Sequence, residues 1–158
     1  MNLYISTIIL SISLCLFTFC SPDSTYTETH SVPENWSKDS VLDFNIPVKD
    51  THNIYSITLN ISNTDSYGYS NLYLFTSITF PDNKVYKDTV EFVLATDKGE
   101  WIGEESFSTY TNTFMLRRGV KFPQPGIYTF SFEQAMRCKN KSCSISGIKS
   151  ITLSLIQN

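Results

Sequence analysis

Three kinds of reactive side chain, thiols, carboxylates and imidazoles, occur in this 158-residue chain at positions where their spacing suggests a purpose. Cys20 closes a long apolar run and is followed by Ser21-Pro22-Asp23-Ser24. A thiol at that junction suits diacylation followed by cleavage just before it, and each buried CH₂ of the attached chains would contribute about 0.8 kcal/mol to membrane binding. Cys138 and Cys143 face each other across Lys139-Asn140-Lys141-Ser142. In an exported chain this pair is expected to form a disulfide, closing a small loop that contributes about 2 kcal/mol by the chain-entropy rule. Zinc would need two further ligands that the sequence does not supply. Cys15 sits within the leading apolar run and is expected to be lost with it.

The carboxylates are less suggestive. Asp97 and Glu100 flank Gly99 and could begin a calcium loop, although a solvated turn is the simpler reading. Glu104 and Glu105 are neighbours that an extended backbone points to opposite faces. Only His30 and His52 are present, so a histidine metal site or a Ser-His-Asp triad is poorly supplied. Gly99-x-x-x-Gly103 lacks a following Lys-Ser/Thr and precedes no recognisable helix, which removes a phosphate loop. These residues give no catalytic group, metal or cofactor to expect. What the glycines do bracket is Glu100-Trp101-Ile102, and Trp101 is one of two tryptophans. Positive φ on either side would place that ring accurately, as a wedge in or beside the core or as an exposed binding platform.

The elements that must position these residues follow from the pattern of apolar side chains. Residues 3–19 are nearly unbroken apolar sequence, slightly short for a stable span and without a Lys/Arg flank, and read as a cleaved signal peptide over 1–19. Residues 20–32 are rich in Ser, Thr, Pro and Glu and are expected to be a lipidated flexible linker. Residues 33–158 form the single folded domain. Ser56-Ile57-Thr58-Leu59-Asn60-Ile61-Ser62 alternates strictly, as a half-buried strand does. A second strand runs from Leu72 to Phe80 and ends at Pro81-Asp82-Asn83-Lys84, the strongest hairpin signal in the chain. Its return begins near Val85. Residues 107–116 read as extended rather than helical, Pro123-Gln124-Pro125-Gly126 is a turn, and Ile127 to Phe132 and Ile148 to Ile156 alternate again. Strands at roughly ten-residue spacing without a long helix predict an all-β fold, an antiparallel β-sandwich of about seven to nine strands.

Bulk composition agrees with strands: 14% of residues are aromatic, dominated by 11 Phe and 9 Tyr, while only 17% are charged. A net charge of −3 with no basic cluster longer than Arg117-Arg118 makes nucleic acid an unsuitable partner. Tyr67, Tyr69, Tyr73, Tyr110 and Tyr128 could line a sugar- or peptide-binding face, or simply cover a sheet.

Taken in order, several blocks resemble the GldH family of gliding-motility lipoproteins of Bacteroidota. They are Trp36 ahead of a strand ending in Pro47, Tyr67-Gly68-Tyr69-Ser70-Asn71-Leu72-Tyr73-Leu74, Asp88-Thr89 leading to Leu94-Ala95, Gly99-Glu100-Trp101-Ile102-Gly103, Gly126-Ile127-Tyr128-Thr129-Phe130, Gln134-Ala135-Met136-Arg137 and Gly147-Ile148. The resemblance implies a lipid-anchored envelope protein, without known enzymatic activity, that supports gliding and the type IX secretion machinery alongside other lipoproteins.

The expected partners are therefore the membrane, through Cys20, and other gliding or secretion lipoproteins and envelope proteins, with no small-molecule substrate. The expected location is the cell envelope, on the periplasmic face or at the cell surface. Asp97, Gly99, Trp101, Gly103, Met136 and Arg137 form the structural or interface motif. The alternative is a surface carbohydrate-binding module that uses exposed tyrosines, and the exposed rings should separate the two readings. A flat row of solvent-facing Tyr or Trp favours sugar, whereas a broad mixed apolar patch favours protein.

Overall fold

The computed structural model describes residues 24–137 and 143–158. Alternating side chains organise it into eleven strands: β1 (Ser24–Ser31), β2 (Trp36–Ser37), β3 (Leu42–Val48), β4 (Tyr55–Thr64), β5 (Asn71–Thr79), β6 (Val85–Val93), β7 (Glu104–Ser106), β8 (Thr109–Val120), β9 (Gly126–Gln134), β10 (Ser144–Ile145) and β11 (Ile148–Gln157). One antiparallel sheet has the order β1-β11-β4-β8-β7 and a second has the order β3-β9-β5-β6, while β10 and β2 form a short ribbon. No helix occurs among the described residues. The all-β antiparallel sandwich expected from the sequence is the observed class, with three more very short strands (β2, β7 and β10) than periodicity could register.

The two sheets meet through their alternating apolar faces. Leu42, Phe44, Ile46 and Val48 of β3 and Tyr128, Phe130 and Phe132 of β9 are buried from one side; Ile57, Leu59 and Ile61 of β4 and Ile151, Leu153 and Leu155 of β11 are buried from the other. All belong to one continuous core. Pro47, which cannot donate to a ladder, sits on β3 at the edge of its sheet, where one side of the strand has no paired neighbour among the described residues. At the 81–84 turn, Phe80 N donates to Lys84 O at 2.8 Å and Asn83 takes a φ of 63°, so the expected hairpin forms where Asn tolerates the left-handed region. Of residues 107–116, expected to be extended, 109–116 lie in β8, which continues to Val120, whereas Phe107 and Ser108 form the turn before it at φ 48° and 58°.

The linker expected over residues 20–32 requires correction. Its second half is β1, paired antiparallel with β11 from Ser31 opposite Ser150 to Ser24 opposite Ile156. Thr29 and Thr152 hydroxyls share a 2.8 Å hydrogen bond, Thr27 Oγ1 donates to Ser154 Oγ at 3.1 Å, and the His30 ring lies 4.4 Å from that of Phe44. An edge strand of this kind is held by its backbone ladder and cross-strand hydroxyl pairs, so it carries little of the apolar alternation that marks a buried strand. The folded unit therefore includes residues 24–31, ahead of the expected start at residue 33. Cys20 and the remainder of the expected linker lie outside the described residues.

The two tryptophans differ in burial. Trp36 is completely buried and donates from Nε1 to Ser40 O at 2.8 Å, whereas Trp101 is only partly buried and packs against the core from its margin.

Candidate functional site

Residues 94–103 fold as a small hairpin. Ala95 bridges Trp101, Thr96 N donates to Glu100 O at 2.8 Å, and Ile102 N donates to Leu94 O at 3.0 Å. Gly99 occupies the left-handed region at φ 83°, as expected. Gly103 does not; it is needed for space, because a Cβ there would stand 2.8 Å from Asn112 Nδ2 and 2.9 Å from the Thr111 backbone. Asp97 and Glu100 are both exposed in the turn. No group of three or more His, Cys, Asp or Glu side chains that could hold a metal ion occurs among the described residues.

Trp101 stacks on Tyr110 with ring centroids 5.7 Å apart and lies 6.4 Å from Tyr67. Its indole Nε1 donates to Asp65 Oδ1 at 3.0 Å. Burial first, then the charges of Asp65 and Glu105 and a hydrogen bond to Asp65, raise the Tyr110 phenol above its ordinary value. The ring surfaces of Trp101 are thus occupied by the protein itself, and the side chain ties a hairpin down rather than offering a platform.

Cys143 is buried and disulfide-bonded, and its expected partner Cys138 lies outside the described residues. Gln134, also buried, donates from Nε2 to Cys143 O at 3.0 Å, and its Oε1 accepts from Met136 N at 3.0 Å. This clasp fixes the chain leaving β9. Met136 is consequently buried, with Sδ 3.3 Å from Tyr73 N, while Arg137 is exposed.

Met136 and Arg137 border a surface that sequence reasoning only partly found. On the outer side of the β3-β9-β5-β6 sheet, Tyr69 (44% exposed), Tyr73 (37%) and Phe75 (51%) line a shallow groove of about 640 Å³ with Thr89, Ala135, Met136 and Arg137. Val93, 50% exposed, pairs with Asn71 across the β5–β6 ladder, two residues beyond Glu91 on the same face. Glu91 sits opposite Tyr73, and Asn71 Nδ2 donates to Glu91 Oε1 at 2.5 Å. A hydrogen bond to Glu91, reinforced by slight burial and the Glu91 charge and opposed by Arg137, raises the Tyr73 phenol. The result is a mixed patch of two tyrosines, a phenylalanine, an aliphatic residue, one carboxylate and one guanidinium, of which the aromatics and the arginine are types enriched at the centres of protein interfaces.

The missed members, Phe75, Thr89, Glu91 and Val93, had a legible signal. In Leu72-Tyr73-Leu74-Phe75 the leucines are buried and the aromatics between them are exposed. A strand that is apolar on both faces has one more surface to cover than the core provides. The proposed row of tyrosines does not survive: Tyr67 and Tyr128 are buried, with their hydroxyls donating to Asn71 O at 2.7 Å and Gln124 O at 2.9 Å.

A second opening lies between the sheets, at the side formed by β6 and β8. It is an open space of about 350 Å³, with Phe92, Phe114, Phe130 and Phe132 on its apolar side and Thr76, Ser77, Asp88 and Arg117 on its polar side.

Comparison with known proteins places these features in context. The model of the family described as GldH lipoprotein matches residues 24–155. Over 146 residues the chain is 35% identical to a gliding motility lipoprotein GldH homolog of Christiangramia forsetii, covering 92% of this chain and 88% of that one. It is 29% identical over 147 residues to the gliding motility lipoprotein GldH of Flavobacterium johnsoniae, covering 93% and 91% of the two chains.

Proposed function

The chain belongs to the GldH lipoprotein family, and from that premise we propose that it supports gliding motility and the associated type IX secretion machinery by binding other envelope proteins. It is a lipid-anchored envelope protein by family, and Cys20 is the residue that carries the anchor. It catalyses nothing; its work is to hold partners together at the membrane.

The observation that carries this reading is the Tyr69, Tyr73, Phe75, Val93 and Arg137 patch beside buried Met136. A sugar platform is a flat row of rings with free faces. Here the rings alternate with aliphatic and charged groups over a shallow groove, which matches protein better than polysaccharide. The experiment is in-cell cross-linking of the tagged full chain in its own envelope, with identification of the captured proteins. Capture of gliding or secretion components, reduced when the patch is altered, is the expected result. Capture of none, together with specific retention on polysaccharide, would establish the carbohydrate-binding alternative instead.

A further inference from the structure

The lipid tether enters the fold at one end of the sandwich. β1 starts at Ser24, and Ser21, Pro22 and Asp23 are all that separates it from Cys20. A chain spans at most about 3.6 Å per residue, so a lipidated Cys20 holds Ser24 within about 14 Å of the bilayer. Ser24 pairs with Ile156 of β11, Ile156 pairs with Ser56 of β4, and the β4 residues on either side of Ser56 pair with Val120 and Arg117 of β8. The start of β1 and the end of β8 thus share one transverse row, three strand spacings or about 14 Å apart.

That end is basic. Arg117 and Arg118 of β8 and Lys121 just beyond it are exposed. Lys49 and Lys84 reach the same end from the other sheet: Val48 pairs with Gly126, a Cβ on Gly126 would stand 2.7 Å from Pro81, and the rings of Tyr55, Phe122, Tyr128 and Phe80 follow one another at centroid distances of 5.6, 4.6 and 5.4 Å. The carboxylates there are Asp23, Asp50 and Asp82. Asp82 pairs with Lys84 at 2.8 Å, and Asp50 accepts hydrogen bonds from His52 N and Asn53 Nδ2 in its own loop. Lys49, Arg117, Arg118 and Lys121 make no ion pair among the described residues. At the opposite end Asp65, Asp97, Glu100, Glu104 and Glu105 are exposed, with Lys98 among them. A chain of net charge −3 is therefore polarised along its strands, with its positive side chains gathered where the tether attaches.

We propose that Lys49, Arg117, Arg118 and Lys121 form a docking surface for anionic lipid headgroups, which sets the sandwich end-on against the bilayer. This rests on the lipid-anchored reading above. The tether selects the occupant, because it keeps this end beside headgroup phosphates while the acidic end is repelled by them. Acyl chains fix distance but not orientation; each Lys or Arg close to an anionic surface strengthens attachment about fivefold, and four of them fix which way the fold stands. Tyr73 lies six residues, about 20 Å, along β5 from Thr79 at the tethered end, so the outer patch is held clear of the lipid and open to partners.

The test uses the mature lipidated protein, extracted from its own membranes and reconstituted into vesicles of phosphatidylcholine alone or mixed equally with phosphatidylglycerol. Flotation reads attachment, and amide hydrogen exchange reads the contact. Residues 49–55 and 117–122 should exchange about fivefold more slowly on the anionic vesicles, with residues 94–105 unchanged. The difference should vanish at high salt and in R117Q/R118Q/K121Q, whose altered side chains are all exposed, and persist in K38Q/K98Q/K149Q, which removes the same charge elsewhere. Flotation with both kinds of vesicle but equal exchange overturns the docking surface and leaves the anchor standing. So do protection that survives in R117Q/R118Q/K121Q, protection lost equally in K38Q/K98Q/K149Q, and the same protection from inorganic phosphate on phosphatidylcholine vesicles. Protein that carries no acyl chain and does not float removes the anchor and the docking surface together.

Discussion

Trp101 and Asp65 are 36 positions apart and are joined by a 3.0 Å hydrogen bond from the indole Nε1 to the carboxylate Oδ1. The bond fastens the 94–103 hairpin to the turn after β4, and the stacking of Trp101 on Tyr110 fastens the same hairpin to β8. One partly buried side chain thus ties the hairpin to the end of the β4–β8 ladder, where Asn63 pairs with Tyr110 and Thr64 with Thr109.

The two tryptophans should accordingly differ in what their loss costs. Trp36→Ala removes a wholly buried ring and leaves Ser40 O without its donor, and is expected to destabilise by about 3–5 kcal/mol. Trp101→Ala removes a ring already partly in water and should cost roughly half as much, about 2 kcal/mol. Trp101→Phe should lose about 1 kcal/mol, the hydrogen bond alone. Urea denaturation of the three variants checks the order; equal losses for Trp36→Ala and Trp101→Ala would show that Trp101 is a core residue after all.

In the outer patch, Tyr73→Ala should separate binding from folding. The ring is more than a third exposed, so stability should change by no more than about 1 kcal/mol, whereas loss of an interface aromatic commonly weakens binding by about 2 kcal/mol, or some thirtyfold. Melting temperature and cross-linking yield, measured on the same variant, test this. An unaltered yield would remove Tyr73 from the interface.

Alkaline pH should weaken the fold through Tyr67. Burial, and secondarily Tyr69, raises its phenol well above the ordinary 10.0. Below pH 10 the phenol is protonated in both folded and unfolded chains and contributes no pH dependence. Above it the unfolded chain releases a proton that the folded chain retains, so stability falls as pH rises. Denaturation midpoints should be level from neutrality to about pH 10 and decline beyond it, since the unfolded phenol titrates near that value. Tyr67→Phe should lessen the decline while costing about 1 kcal/mol at neutral pH, because the hydrogen bond to Asn71 O is lost. A decline of the same steepness in Tyr67→Phe would assign it to other groups.

Replacement of Cys20 by alanine should release the protein from the membrane. Stable anchoring needs more than one acyl chain, and Cys20 is the thiol at the end of the leading apolar run. Palmitate labelling should disappear and the protein should leave the membrane fraction. Unchanged labelling and fractionation would show that the anchor is elsewhere.

Much of the fold was legible before any coordinate. Ile57, Leu59 and Ile61, and again Ile151, Leu153 and Leu155, declare their strands because apolar alternation is a local property of the chain. The 81–84 hairpin was equally plain, since turn chemistry acts within a few residues. The order of the family blocks was likewise in the sequence. Only the tertiary structure could decide that residues 24–31 are a strand, because their polar side chains are held by Thr152 and Ser154, more than a hundred residues away. It alone decided which tryptophan is buried, since the local strings around Trp36 and Trp101 do not specify what covers each ring. It also decided that Tyr73 and Phe75 face outward and that β6 is the last described strand of its sheet. Alternation tells which residues share a face, but the core belongs to whichever face another sheet covers.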